Sequence, residues 1–203
     1  MSSVMTLVHP DGQVFEFDAG ALSIELISTS GGEGWRARFE VLHEPADFPR
    51  WAAQTRLDLR EHGVTPEDVS TTSRDLAVVK QLREAIWAAA YAVSTGDEPG
   101  SSDLETINDI AAGRGVVLQI DIRSGTVMWR RPVTAQQLIV EIARDAVTTL
   151  ALPRRNRIRM CAGENCSLIY LDTSRPGSRR WCSMQRCGNR SKATAFRHRH
   201  SAG

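Results

Sequence analysis

Four cysteines are the residues of this chain whose spacing most directly implies a chemistry. Cys161-Ala-Gly-Glu-Asn-Cys166 and Cys182-Ser-Met-Gln-Arg-Cys187 are two pairs with four residues inside each and fifteen between them, and the chain has no other cysteine. Two short thiolate turns brought together by a connecting hairpin supply the tetrahedral four-sulfur shell of one structural Zn²⁺, each sulfur at about 2.3 Å from the ion. Gly163 and Gly188 suit such turns, which need positive φ or close backbone approach. Three other readings compete. Two disulfides need an oxidising compartment, whereas Met1-Ser-Ser-Val-Met-Thr6 lacks the basic start and apolar run of a secretory signal. A redox pair has the tighter Cys-x-x-Cys spacing. Four unlinked core cysteines would not be expected to cluster in polar, arginine-rich sequence. The expectation is therefore Zn²⁺ held by Cys161, Cys166, Cys182 and Cys187.

The basic residues around this cluster suggest a second chemistry. From residue 153 onward the chain carries eleven arginines and Lys192 against Glu164 and Asp172, a net +10, while the remaining thirteen basic and twenty-two acidic side chains give −9. A net charge of +1 thus conceals an acidic body joined to a basic end. Such segregation points to a polyanionic partner for the basic part. Arg157, Arg159, Arg175, Arg179, Arg180, Asn189, Arg190, Lys192, Arg197 and Arg199 are the candidate nucleic-acid contacts, with DNA as the expected partner. Arg179, Arg180, Arg186 and Arg190, which flank the ligands, have a bland role, since four thiolates around Zn²⁺ leave a net −2 that nearby cations stabilise. Asn189 would read adenine in a groove, or else hydrogen-bond backbone at a helix start. Trp181 would stack on a base, or else form the small core of the module with Phe196. His198 and His200 are poor candidates as ligands beside four cysteines. No His-Glu-x-x-His or Gly-x-Ser-x-Gly occurs, and a four-sulfur shell leaves no open zinc position, so an enzyme is not expected.

The elements that would position these groups fall into two parts, residues 1–152 and 153–203. The fold class expected is α+β: a mostly helical N-terminal domain with a small β-hairpin, then a small zinc-binding module with four cysteine ligands and a short C-terminal helix. Val14–Phe17 reads as a short strand, Leu22–Ile27 as strand or helix, and Gly31–Gly34 as a loop without the Gly-Lys-Ser/Thr of a P-loop. A helix capped by Asp47 would run to Gly63. The strongest periodicity follows Ser73, the expected N-cap, with Leu76, Val79, Leu82, Ile86, Trp87, Ala90 and Val93 recurring until Gly96, which predicts the central core helix. Ser102 would cap a shorter helix, Val116–Ile122 and Thr126–Trp129 a hairpin, and Thr134-x-x-Gln137 a capping box for the next helix. Pro153 stops that helix. Between the cysteine pairs, Leu168–Leu171, Asp172–Gly177 and Arg179–Trp181 read as strand, turn, strand.

Residues 161–190, above all Asp172-Thr-Ser-Arg-Pro-Gly-Ser-Arg-Arg-Trp-Cys-Ser-Met-Gln-Arg-Cys-Gly-Asn-Arg-Ser-Lys192, resemble the bacterial CGNR zinc finger. In that family the finger follows a domain named ABATE, which residues 1–150 resemble in the order of elements and in Leu82–Trp87 and Ile107-Asn108. The family's Leu-Asp-Phe-Val-Asn-Thr stretch stands here as Leu22-Ser-Ile-Glu-Leu-Ile-Ser-Thr29. The resemblance implies a stress-induced transcriptional regulator; the basic residues make DNA the expected partner of the zinc module, and the one-component layout makes the N-terminal domain the expected sensor of a small-molecule effector or a stress signal. The competing function is a protein-interaction adaptor, or an RNA-binding protein, whose basic module grips an acidic partner. No apolar run approaches the length of a membrane span, so no membrane contact and a cytoplasmic location are expected. A homodimer would suit a DNA regulator, although no heptad marks an interface. An independent finger would unfold in Cys182→Ser without melting residues 1–150.

Overall fold

The computed structural model describes residues 4–9, 12–31 and 34–201, except for the side chains of Trp35, Ala195, Phe196 and residues 198–201. The expectations for the side chains of Phe196, His198, Arg199 and His200 therefore lie outside the described residues. Mixed helix and strand, with a helical N-terminal part, small hairpins and a cysteine cluster before a C-terminal helix, agrees with the α+β expectation.

The described strands begin with β1 (Met5–Val8), which sequence reasoning missed, paired antiparallel to β2 (Val14–Phe17). Leu22–Ile27 is a helix, α1, with all six residues buried. A 3-10 turn follows at Gly34–Phe39. The expected helix from Asp47 to Gly63 is cut short as α2 (Asp47–Ala52), and Ala46 rather than Asp47 stands at its cap. The cause is local. The Thr55 hydroxyl donates to the Ala52 carbonyl at 2.7 Å, and Arg56 is drawn to Glu25 and Asp18 at 2.6 Å each, so the chain turns away.

The central helix α3 (Ser73–Thr95) buries Val79, Leu82, Ala85, Ile86, Ala89 and Ala90. Its cap is Thr72, one residue before the expected Ser73. Thr72 Oγ1 accepts from the Asp75 amide at 3.2 Å, and Asp75 Oδ2 accepts from the Thr72 amide at 2.8 Å, a reciprocal box. Helix α4 (Ser101–Ala111) is entered through Gly100 rather than capped by Ser102. Strands β4 (Leu118–Ile120) and β5 (Val127–Trp129) form the expected hairpin. Two short parallel strands, β3 (Val69–Ser70) and β6 (Val133–Thr134), join distant segments before α5 (Ala135–Leu150), whose Thr134–Gln137 box is present as expected.

After α5, a 3-10 turn at Arg154–Arg157 leads straight into β7 (Ile158–Met160). Its antiparallel partner is β8 (Ile169–Leu171). The expected strand over Arg179–Trp181 is absent among the described residues: this stretch touches the first thiolate turn through one backbone bond, Ala162 N–H to Arg180 O at 2.9 Å. A π-helical turn (Met184–Gly188) then opens α6 (Asn189–Ser201). Helix α3 packs on α1, α4, α5 and β7. Ile158, Ile169, Tyr170 and Leu171 join the same buried cluster as Leu82 and Ile86, and the Leu171 amide donates to the Ala19 carbonyl at 2.9 Å.

Candidate zinc centre and basic surface

Strand β7 delivers Cys161, and the first turn closes through the Cys166 amide on the Gly163 carbonyl at 3.1 Å, with Asn165 left-handed at φ 57°. The π-helical turn delivers Cys187. All four sulfurs lie within 4.8 Å of one another. Cys166 Sγ to Cys182 Sγ is 3.8 Å, and Cys182 Sγ to Cys187 Sγ is 3.6 Å. Four sulfurs placed tetrahedrally at about 2.3 Å from one ion are about 3.8 Å apart, so the donor set fits one structural Zn²⁺. The glycine requirement is met by close approach, not by positive φ. A Cβ on Gly163 would lie 2.8 Å from Cys187 Sγ, and one on Gly188 would lie 2.6 Å from Met184 Sδ.

The thiols also show why the cluster wants a cation. Hydrogen bonds from the Cys166 and Cys182 thiols, helped by the Cys182 and Gly163 amides, pull Cys161 down to about 2. Cys166, bonded to that sulfur, is pushed up to about 12, and Cys182 is raised likewise by its bonds to Cys161 and Cys166. One thiolate is comfortable; the full set of four requires a dication.

Several arginines are committed to building this centre. Arg179 donates from Nε to the Trp181 carbonyl at 3.0 Å, from Nη1 to the Asp18 carbonyl at 2.8 Å and from Nη2 to the Cys182 carbonyl, with its Cζ 4.1 Å above the Tyr170 ring. Tyr170 Oη donates to the Arg179 carbonyl at 2.7 Å. Buried Arg186 donates to Gln13 Oε1 at 2.8 Å and lies over Phe15. Arg157 Nη1 holds the Asp172 and Ser174 carbonyls at 3.0 and 2.7 Å, and Arg159 Nη1 holds the Asn156 carbonyl at 2.6 Å. Asp172, fully buried, accepts from the Ser174 and Arg179 amides at 2.9 Å each. Burial pushes its carboxyl up, but these bonds and the Arg157 charge outweigh it and hold it below the usual range.

Arg157 and Arg159 are exposed despite these bonds, and so are the other described contact residues. Arg175, Arg180, Asn189, Arg190 and Lys192 are exposed, as is Arg197, whose Nη2 reaches Thr194 Oγ1 at 3.2 Å. Arg154, absent from the sequence-based set, is exposed as well. Half-buried Trp181 packs on the core beneath Arg180, the bland role considered for it. Sequence reasoning assigned Arg179 a structural role beside the thiolates, but nothing in its spacing shows that it reaches Asp18 far along the chain. No helix among the described residues is long and apolar enough to cross a membrane.

Comparison with known families matches residues 157–200 to the CGNR zinc finger. Residues 20–153, well over half of the chain, match the ABATE family, which carries the description "Putative stress-induced transcription regulator". No curated protein matches the chain.

Proposed function

This chain belongs to the ABATE family and ends in a CGNR zinc finger, and we propose that it is a transcriptional regulator whose zinc-ordered basic segment docks on duplex DNA. The observation that carries this reading is the surplus of exposed cations. Arg179 is half-buried on backbone carbonyls and Arg186 is buried, while Arg154, Arg157, Arg159, Arg175, Arg180, Arg190, Lys192 and Arg197 are exposed on the same short segment. Phosphate contacts of this kind position a protein on the duplex and supply most of its salt-dependent affinity. On α6, Arg190 and Arg197 are seven residues apart, which sets them on one side of the helix. Zinc is structural here. Its four sulfur ligands leave no position for substrate, so we assign no catalytic role. Residues 20–153 serve as the sensing body.

Fluorescence-anisotropy titration of the zinc-loaded full chain against mixed-sequence duplex DNA tests the reading. About five phosphate contacts give a slope of log affinity against log salt near −4 to −5, lost on chelation. A flat salt response or zinc-independent binding would count against it. The adaptor reading draws on one contact, Arg155 Nη2 to Glu98 Oε1 at 3.1 Å, which turns the basic segment toward the acidic body. Competition by structured RNA and by an acidic polypeptide, measured against the same duplex, separates the three partners.

A further inference from the structure

A cavity of about 490 Å³ opens between the β1–β2 hairpin, the 3-10 turn Gly34–Phe39, Trp87 of α3 and the first thiolate turn of the zinc centre. The volume lies in the range of small-molecule sites. We propose that it binds an aromatic monocarboxylic acid, and that the bound acid steadies the Cys166 turn and so slows zinc loss. This deepens the reading of the N-terminal segment as a sensor, and its test is independent of DNA.

The walls select the ring. Phe15, Phe39 and Trp87 line the cavity together with Leu7, Ile27 and Leu168. Aromatic walls favour a flat, apolar occupant through offset or edge-to-face contact.

The charges select the carboxylate. Three arginines line the cavity, Arg36, Arg38 and Arg186, against the single carboxylate of Glu40. Glu40 is already held by Arg83, whose Nη1 and Nη2 reach its two oxygens at 2.8 and 2.7 Å. Arg36 is likewise engaged, with Nη1 on Glu84 at 2.8 Å and Cζ 4.0 Å over the Trp87 ring. Exposed Arg38 forms no ion pair among the described residues, which leaves its fork available for a carboxylate. The Ser28 hydroxyl lies on the same lining.

The far wall makes the coupling. Asn165 and Cys166 belong both to the cavity and to the first thiolate turn, whose shape depends on the left-handed Asn165, and Ser167 and Leu168 continue the same wall. Cys166 is also the ligand with a partly exposed side chain, while the other three are buried. A molecule seated against this turn therefore favours the arrangement in which Cys166 faces the other sulfurs, and a ligand that prefers one state stabilises it by mass action.

The test uses the zinc-loaded full chain and 1-naphthoate, with 1-naphthylmethanol as the uncharged comparison. Calorimetry should show saturable one-to-one binding of naphthoate and at least tenfold weaker binding of the alcohol. Arg38→Gln should weaken naphthoate about tenfold. Val41→Trp, placed at an exposed lining position, should block it while leaving the melting temperature in place. Zinc transfer to a chromogenic chelator should slow by at least tenfold in naphthoate at about a hundred times its Kd. Absence of naphthoate binding, or binding unchanged in both variants, overturns the site. Binding with unaltered zinc transfer overturns the coupling.

Discussion

Replacing Cys182 with serine removes a buried sulfur that lies 3.8 Å from Cys166 Sγ and 3.6 Å from Cys187 Sγ, and with it the tetrahedral shell. Structural zinc sites contribute about 10–16 kcal/mol in apparent binding energy. What then becomes of the rest depends on the core. Ile158, Ile169, Tyr170 and Leu171 are at most 4% exposed and share one buried cluster with α3. At about 1.5–3 kcal/mol for each fully buried large apolar side chain, their seating contributes about 6–12 kcal/mol, as much as the net stability of a whole domain. Loss of the shell should therefore reach the N-terminal body, contrary to the independent finger suggested by the sequence. A loss of about 5 kcal/mol lowers the melting temperature by about 10–20 °C for a chain of this size. Far-UV circular dichroism melts, with amide exchange on α3, provide the assay. If Cys182→Ser loses zinc yet α3 keeps its exchange protection and melting temperature, the shared-core reasoning fails.

Four further outcomes follow from the same contacts. Burial pushes the Glu25 carboxyl up to about 7, only partly opposed by Arg56. Because the folded form binds the proton more tightly, this group's stabilisation is full below about pH 4.5 and is lost as pH rises through about 7, a swing of about 3 kcal/mol; Glu25→Gln should flatten that part of a stability profile taken from about pH 5 to about pH 8. Arg179→Lys keeps the charge but not the three-pronged hold on Asp18, Trp181 and Cys182, and should cost about 2–4 kcal/mol in denaturant unfolding. Lys192→Ala, at an exposed position, should leave stability alone and reduce the DNA salt slope by about one. Gly20→Ala would place a Cβ against the Leu171 carbonyl at φ +83°, and should lower stability by at least about 2 kcal/mol, read as an earlier melt.

The metal centre was legible because two cysteine pairs declare their ligand set without help from tertiary structure. The long helices were legible for a similar reason: α3 and α5 carry their caps and apolar stripes locally. What could not be read is set by distant partners. The helix after Asp47 stops where Arg56 is captured by Glu25 and Asp18, and no periodicity records that pull. Strand β8 pairs upstream with β7 rather than downstream with the Arg179–Trp181 stretch, because hairpin sense depends on how the chain returns to the zinc. Arginine is the hardest type to assign from spacing alone. Arg179 and Arg180 are neighbours, yet one is bound up in the fold and the other is exposed. The cavity was equally hidden, since its walls come from well-separated segments of the chain.

The two family matches abut at residues 153 and 157, where a modular protein would carry a pliable spacer. Here that interval is a hydrogen-bonded turn, with the Arg155 amide on the Ala151 carbonyl at 3.0 Å and the Asn156 amide on the Pro153 carbonyl at 3.2 Å. Ancestry and mechanics therefore part company at this joint. A graft that kept residues 1–153 and borrowed a finger from elsewhere would inherit a matched seam in sequence and a mismatched one in shape. The Ala19 carbonyl would be left without the Leu171 amide, and the facing side of α3 without β7. Such a finger is not an interchangeable cassette; successful recombinants should need accompanying changes around Gly20 and along α3.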